Sequence, residues 1–136
     1  MKHRNLVFTL ATILLQAAVS AQTKSSSDWV GVWHAELDGQ PGTTLTLADD
    51  TGELGGTLVM NMVSREGGQP HVIAADAHVL VDPRVNGNTL TFRVKRFHGT
   101  DQTAQFSVVL TGDGKAKTRC LTCGADAPVV ELVKGP

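Results

Sequence analysis

The sequence has no tyrosine, and aromatic residues make up only 4% of its 136 residues. This scarcity argues against an outer-membrane barrel, whose strands turn apolar side chains outward and carry aromatic girdles at two levels. The formal net charge is −1, which gives no electrostatic reason to bind nucleic acid or an anionic membrane surface. Only two cysteines are present, and a chain of this length can bury a core without disulfides.

Long apolar runs are also scarce, since residues 6–19 form one such run and nothing comparable follows. Lys2 and Arg4 precede the run, and residues 19–21 (Val-Ser-Ala) are small. This pattern is typical of a secretory signal peptide that is cut before Gln22. The alternative is a retained membrane anchor, which is disfavoured because a spanning helix needs ~20 apolar residues.

Export sets the expected compartment and the domain boundaries. No cysteine directly follows the cleavage site, which argues against a bacterial lipoprotein. Loss of the two basic residues of the signal peptide leaves 10 basic against 13 acidic residues, so the net charge moves from −1 to −3. We expect a periplasmic or extracellular protein without stable membrane insertion. It would comprise a signal peptide (1–21), a polar leader (22–28) and one domain (29–134).

The domain is a series of short strand-like runs, each closed by Gly, Asp, Asn or Pro, with no helical apolar period of useful length. Asn86-Gly87 and Asp113-Gly114 supply the positive φ angles that tight hairpins require. Short connections between successive strands favour antiparallel neighbours. The pattern predicts eight strands, at residues 30–37, 43–48, 54–63, 71–81, 89–97, 102–110, 115–122 and 128–134.

Alternation with period two gives most strands one apolar and one polar face. Leu90, Phe92 and Val94, for example, oppose Thr91 and Arg93. This is typical of an antiparallel sheet that surrounds a core. We therefore predict an all-β fold, an eight-stranded antiparallel up-and-down barrel that leaves no free edges. A two-sheet sandwich is the alternative.

The order and spacing of several short motifs resemble the lipocalin and calycin superfamily, and more closely its small bacterial secreted lipocalin-like domains. The resemblance covers residues 29–134 and implies an eight-stranded barrel. The chain has no room for the N-terminal 3₁₀ segment, long first loop and C-terminal helix of classical lipocalins. The motifs are Gly31-Val32-Trp33, Leu45-Thr46-Leu47, Asp50-Thr51-Gly52, Leu54-Gly55-Gly56-Thr57-Leu58, Asn86-Gly87-Asn88 and Leu90-Thr91-Phe92.

Both tryptophans lie near the start of the domain, and the resemblance gives each a place. In the family the Gly-x-Trp motif puts the indole across one end of the barrel, so we expect Trp33 to plug that end. An indole is a large apolar plug with an N–H that needs a partner. The family packs an arginine of a late strand on this indole, and here either Arg119 or Lys134 could take that role; the sequence does not decide between them. Trp29 is expected to cover the same end from outside.

The interior of such a barrel has room for at most one small ligand. We therefore expect a secreted binding module that holds a small apolar or amphipathic molecule or docks a partner protein, with no cofactor. Metal binding is not expected, because no His-x-His or His-x-x-x-His spacing occurs. The candidate ligand contacts are Trp33, Met60, Met62, Phe92, Phe106, Leu110 and Arg119.

The alternative function is a secreted enzyme on the same barrel. Asp76 and His78 share one face of their strand, as an acid–base pair requires, and His98 is a further candidate. We expect the Asp76 and His78 face to be surface, and the strip formed by Arg93, Lys95 and Arg96 to be a solvated strand face. The core face of the same strand is then formed by Ile73, Ala75, Ala77 and Val79.

Cys120 and Cys123 form the most specific local pattern in the sequence. The oxidising compartment that we expect for this protein favours a disulfide bridge between them. Their odd spacing places them on opposite faces of a regular strand, so a disulfide needs a turn or bulge there, which Gly124 permits. Two separate thiols are the alternative. A thioredoxin-type redox centre is disfavoured because the βαβ unit that accompanies it is absent from the sequence pattern.

Overall fold

A computed structural model describes residues 26–96 and 102–136, so the expected signal peptide and His98 lie outside the described residues. A single helical turn, α1 (Ser26–Trp29), precedes the strands. The strands are β1 (Gly31–Leu37), β2 (Gln40–Asp50), β3 (Glu53–Ser64), β4 (His71–Val79), β5 (Val81–Asn86), β6 (Thr89–Lys95), β7 (Thr103–Gly112), β8 (Lys115–Cys120) and β9 (Val130–Lys134). No helix within these described ranges is long and apolar enough to cross a bilayer.

The strands form one antiparallel sheet in the order β4-β3-β2-β1-β9-β8-β7-β6-β5. The sheet curls into a half-barrel, because its edge strands β4 and β5 are consecutive in the chain and are joined at Leu80. Around this link β4 approaches β6 and β5 approaches β3. The Leu80 N–H donates to the Gly56 carbonyl at 3.0 Å, which anchors the link to β3. The predicted all-β antiparallel class is confirmed.

Most of the predicted face assignments are correct. Inward-facing side chains from seven strands meet in one core, because each strand contributes alternate residues. Phe92 stacks on Phe106 with ring centroids 5.5 Å apart. Leu37 is an exception, since it is half exposed at the end of β1, just after the pairing with β2 shifts at Ala35 and Glu36. The most completely buried large side chains are Trp29, Trp33, Phe92, Leu45, Leu47, Leu90, Leu132, Val94 and Val108.

The prediction of eight strands is wrong by one, because β5 forms where the sequence pattern indicates a turn. Asp82 has a positive φ of 48° and the pairing of β5 with β6 shifts between Val81 and Arg84, so the turn-like residues make a bulge. Pro83 is tolerated there because β5 is an edge strand, where a missing N–H removes no ladder bond. The bulge lets the chain continue from β4 into a second strand.

The predicted faces of β4 are inverted. Register pairs Leu58 with His78 and Met60 with Asp76, so the two polar side chains share the inner side of the sheet with buried Leu58. Ile73 and Val79 lie on the outer side, 57% and 72% exposed. Polarity alone misassigns this strand because its inner side faces a cavity near the edge of the sheet rather than the packed core.

The two ends of the half-barrel differ. At one end lie α1 and the tight turns between β2 and β3, β5 and β6, and β7 and β8. At the other end lie the turn at Asp38 and Gly39 and the longer connections from β3 to β4 and from β8 to β9. The Arg65 guanidinium lies 2.6 Å from the Asp38 carboxylate and ties two of these connections together. We refer to these as the closed end and the open end.

Candidate functional site

The closed end is sealed by the tryptophan pair. Trp33 is 1% exposed, and its indole N–H donates to the Trp29 carbonyl at 2.9 Å. The centroids of the two rings are 6.2 Å apart, and Trp29, which we expected to cover this end, is fully buried beside Trp33. The α1 turn brings this carbonyl into reach, because it folds the chain back just before β1. Trp33 is therefore a structural plug in this fold.

Lys134, not Arg119, packs on the plug. Its ammonium lies 5.5 Å from the centroid of the Trp33 ring and donates to the Asp28 carbonyl at 3.1 Å. The Gly31 position makes this approach possible, since a Cβ there would lie 2.8 Å from the Lys134 Cε. The Arg119 guanidinium is at the open end instead, where it donates to the Ala125 carbonyl at 3.0 Å.

A cavity of about 410 Å³ lies at the open end, inside the half-barrel and open to solvent. A neighbouring cavity of about 280 Å³ shares Met60, Phe106 and Cys123 with it, so the two cavities adjoin at these side chains. The walls are mainly apolar. The larger cavity is lined by Thr43, Leu58, Met60, Phe106, Thr118, Arg119, Cys120, Cys123, Asp126, Ala127, Pro128 and Val130.

The smaller cavity is lined by His78, one of the side chains that the sequence marked as candidates for catalysis. The His78 Nε2 lies 2.9 Å from the Asp76 Oδ2, and both atoms are shielded from solvent. His78 lines the cavity together with Lys95 and Arg96. Two members of the basic strip therefore border a cavity instead of forming a fully solvated face. Arg93, the third, pairs with Asp82 on the outside.

Cys120 and Cys123 lie at disulfide-bonding distance, with Cα atoms 5.5 Å apart. β8 ends at Cys120, and the bends at residues 121–123 supply the turn that the odd spacing requires. Thr122 Oγ1 accepts from the Gln105 N–H at 3.0 Å, and the Arg96 Nη2 lies 3.5 Å from the Cys123 Sγ. The cysteine pair therefore fixes the start of the segment that forms one wall of the cavity.

We expect Cys123→Ser to lower the free energy of unfolding by about 2 kcal/mol, because the bridge closes only a short loop. Cys123 is the better position to change, since it is exposed whereas Cys120 is buried. The measurement is urea unfolding of both proteins. The wild-type mass should also rise by two hydrogens on reduction. Alkylation of both thiols without reductant would show instead that the cysteines are unbridged.

The predicted ligand contacts divide between four places. Met60, Phe106 and Arg119 line the cavity, and Phe92 lies beneath Phe106 in the core. Trp33 and Leu110 border a shallow depression at the closed end. Met62 is 60% exposed near the end of β3. The sequence pattern alone did not mark Leu58, Val94 and Ala104 as lining, although they lie on the predicted apolar faces.

The cavity wall also contains Asp126, Ala127 and Pro128, which no sequence signal marked. They belong to the irregular connection between β8 and β9, where alternation carries no information about direction. A further depression of about 490 Å³ lies beside β5, but its lining includes the charged side chains Glu53, Asp82 and Arg84. No group of three or more metal-ligating side chains is assembled in residues 26–96 and 102–136.

No protein-family model matches the chain, and neither a curated protein nor a solved structure matches it. The cavity itself is therefore the basis for inferring a function, since fold class does not determine activity.

Proposed function

We propose that this protein is an exported lipocalin-like barrel that binds one small apolar or amphipathic molecule in the open-end cavity. The observation that supports this is the cavity of about 410 Å³ with largely apolar walls, opposite an end that Trp33 closes. Small-molecule sites are typically concave, mainly apolar and roughly 300–1,000 Å³ in volume.

The composition of the wall favours an amphipathic ligand. Leu58, Met60 and Phe106 offer apolar surface, and the unbranched thioether of methionine adapts to ligands of different shape. Arg119 and Asp126 at the rim offer charged groups that an amphipathic head can contact. A ligand would then place its apolar part against the inner sheet and its polar part toward the mouth.

Native mass spectrometry of the exported protein tests this function directly. The protein is expressed with its leader, purified from the exported fraction and sprayed without denaturant. We expect a bound small molecule, or binding of anilinonaphthalene sulfonate with a fluorescence increase at micromolar concentration. A clean unbound mass together with no response to this amphipathic probe would contradict the proposal.

Filling the cavity should abolish binding. Met60→Trp places a larger side chain where the two cavities meet, so we expect the affinity for anilinonaphthalene sulfonate to fall at least ~10-fold, or about 1.4 kcal/mol. Met62→Trp is the matched control, because the same substitution two residues along β3 occurs at a side chain that is 60% exposed. Equal affinities for the two variants would exclude the cavity as the probe site.

Export is part of the proposal and has its own test. Residues 1–21 have the signal-peptide pattern, and the cysteine pair at bonding distance suits an oxidising compartment. We expect the mature protein recovered from a bacterial host to begin at Gln22. Recovery of the chain in the cytosol with its N-terminus intact would rule out export in that host.

An acid–base enzyme is the second candidate, and the inward orientation of Asp76 and His78 favours it. His78 lines the smaller cavity, and its Nε2 lies 2.9 Å from the Asp76 Oδ2, the geometry in which a carboxylate orients an imidazole for proton transfer. The test is hydrolysis of nitrophenyl esters by the wild type and by His78→Asn. Equal rates for the two proteins would remove this candidate while leaving ligand binding intact.

A further inference from the structure

The cysteine pair is part of the cavity wall as well as a cross-link. Cys120 and Cys123 both line the larger cavity, and Cys123 also lines the smaller one. Cys120 is the last residue of β8, whereas Cys123 belongs to the irregular connection from β8 to β9. The same connection supplies to this wall Asp126, Ala127 and Pro128. The bridge therefore joins a paired strand to the part of the wall that has no strand pairing of its own.

The connection from β8 to β9 is anchored differently before and after the bridge. Residues 121 and 122 are hydrogen-bonded to the backbone of Gln105 in β7, at 2.7 and 3.0 Å. Beyond Cys123, the Arg119 guanidinium donates to the Ala125 carbonyl at 3.0 Å. This donor belongs to an exposed side chain, so water can replace the bond at little cost. The bridge lies where the firmly tied part of the connection meets the part that forms the wall.

We propose that Cys120 and Cys123 are a thiol–disulfide exchange site whose redox state sets the ligand affinity of the open-end cavity. This rests on the ligand-binding function proposed above. With the bridge closed, the wall formed by the connection is already in place when the ligand arrives. With the bridge reduced, binding has to order the wall, and the conformational entropy that this costs lowers the affinity. The oxidised protein is the binding form, and reduction releases the ligand.

Cys123 is the sulfur at which exchange takes place, because it is exposed whereas Cys120 is buried. A thiolate of a dithiol reductant attacks the Cys123 Sγ, the S–S bond breaks, and its electron pair leaves on the Cys120 Sγ, which takes up a proton. The second thiol of the reductant then closes a disulfide within the reductant and expels the Cys123 thiolate, which is protonated in turn. Two electrons and two protons thus pass from the dithiol to the cysteine pair. The Arg96 guanidinium donates to the Cys123 Sγ at 3.5 Å, so a cation faces the sulfur that carries the negative charge in the second step.

The position of the bridge confines its effect to the cavity. It joins residues three apart in the sequence, so it closes a short loop and constrains the unfolded chain only slightly. The core is formed mainly by inward-facing side chains of the strands. After the bridge, Ala127 and Val130 pack against this core as partly buried side chains. We therefore expect the reduced protein to stay folded, as a redox-dependent binding site requires.

The first test is the affinity for anilinonaphthalene sulfonate with and without dithiothreitol. We expect the oxidised wild type to bind the probe at least ~5-fold more tightly than the reduced wild type. Cys123→Ser should have the affinity of the reduced wild type and should not respond to dithiothreitol. Equal affinities of the oxidised and reduced wild type would overturn the exchange site and leave the binding function intact. No binding by either form would contradict the binding function instead.

Hydrogen exchange decides in every case whether the bridge holds the wall. The Ala127 N–H lies in the wall and donates to the Gly124 carbonyl at 3.2 Å, and the Leu80 N–H, which donates to Gly56 at 3.0 Å, is the control away from it. Reduction should speed exchange at Ala127 at least ~10-fold and leave Leu80 unchanged. An unchanged rate at Ala127 would overturn the proposal, because the wall would not depend on the bridge. Equal acceleration at both sites would also overturn it, because reduction would then unfold the whole domain.

Discussion

Trp33→Ala should lower the free energy of unfolding by about 3–5 kcal/mol, the range for deleting a large aromatic side chain from a core. Trp33 is 1% exposed, and its ring contacts both Trp29 and the Lys134 ammonium. Truncation would open a cavity at the closed end and leave the Trp29 carbonyl without its indole donor. Since domains of this size are stable by ~5–15 kcal/mol, the variant is expected to be close to unfolding.

Urea unfolding followed by far-ultraviolet circular dichroism measures this loss. Trp33→Phe is the control that separates packing from hydrogen bonding, because it keeps an aromatic ring and removes the N–H. We expect it to cost about 1–2 kcal/mol. A loss below ~1 kcal/mol for the alanine variant would mean that the tryptophan does not plug the barrel, since even Ile→Val changes in cores cost about that much.

Among the glycines in residues 26–96 and 102–136, Gly56 should be the most damaging to replace by alanine. A Cβ at Gly56 would lie 1.9 Å from the Thr46 carbonyl oxygen and 3.0 Å from its carbon, so β2 and β3 would have to separate. The same glycine accepts the hydrogen bond from Leu80 that anchors the link between the edge strands. We expect a loss of about 3 kcal/mol, the upper part of the range for overpacking.

The neighbouring glycine provides a control in the same strand. A Cβ at Gly55 would meet no atom within 4 Å. Gly55→Ala should therefore change the free energy of unfolding by less than ~0.5 kcal/mol, as surface substitutions usually do. Thermal and urea unfolding of the two variants side by side measure the difference. Similar stabilities would show that β2 and β3 do not approach each other as closely as the structure has them.

The sequence was sufficient to predict the all-β class and most of the core. Strands packed on one face alternate strictly, so Leu45, Leu47, Leu90, Phe92 and Val94 were placed correctly. β5 was missed because Asp82 and Pro83 are turn residues, and a bulge within a strand uses the same residue types as a turn. The choice between Arg119 and Lys134 could not be made, because it depends on which strands are neighbours across the sheet.

The candidate site was less predictable. Met60 and Phe106 were found because they are large and apolar on alternating strands, but the orientation of β4 was inverted. The more apolar side of a strand usually faces the core, and Ile73 and Val79 are more apolar than Asp76 and His78. This rule fails in β4, because its inner side borders a cavity and its outer side leaves Ile73 and Val79 exposed. The β8–β9 connection has no periodicity from which its side-chain directions can be deduced.

Tryptophan closes one end of the half-barrel, and we propose that the other end holds the ligand. Once the signal peptide is removed, Met60 and Met62 are the methionines that remain, so methyl-labelled methionine gives two NMR signals. Titration with anilinonaphthalene sulfonate should shift the Met60 methyl strongly, move Met62 little and leave the Trp33 indole N–H unchanged. A shift of the Trp33 indole with a stationary Met60 methyl would contradict the account.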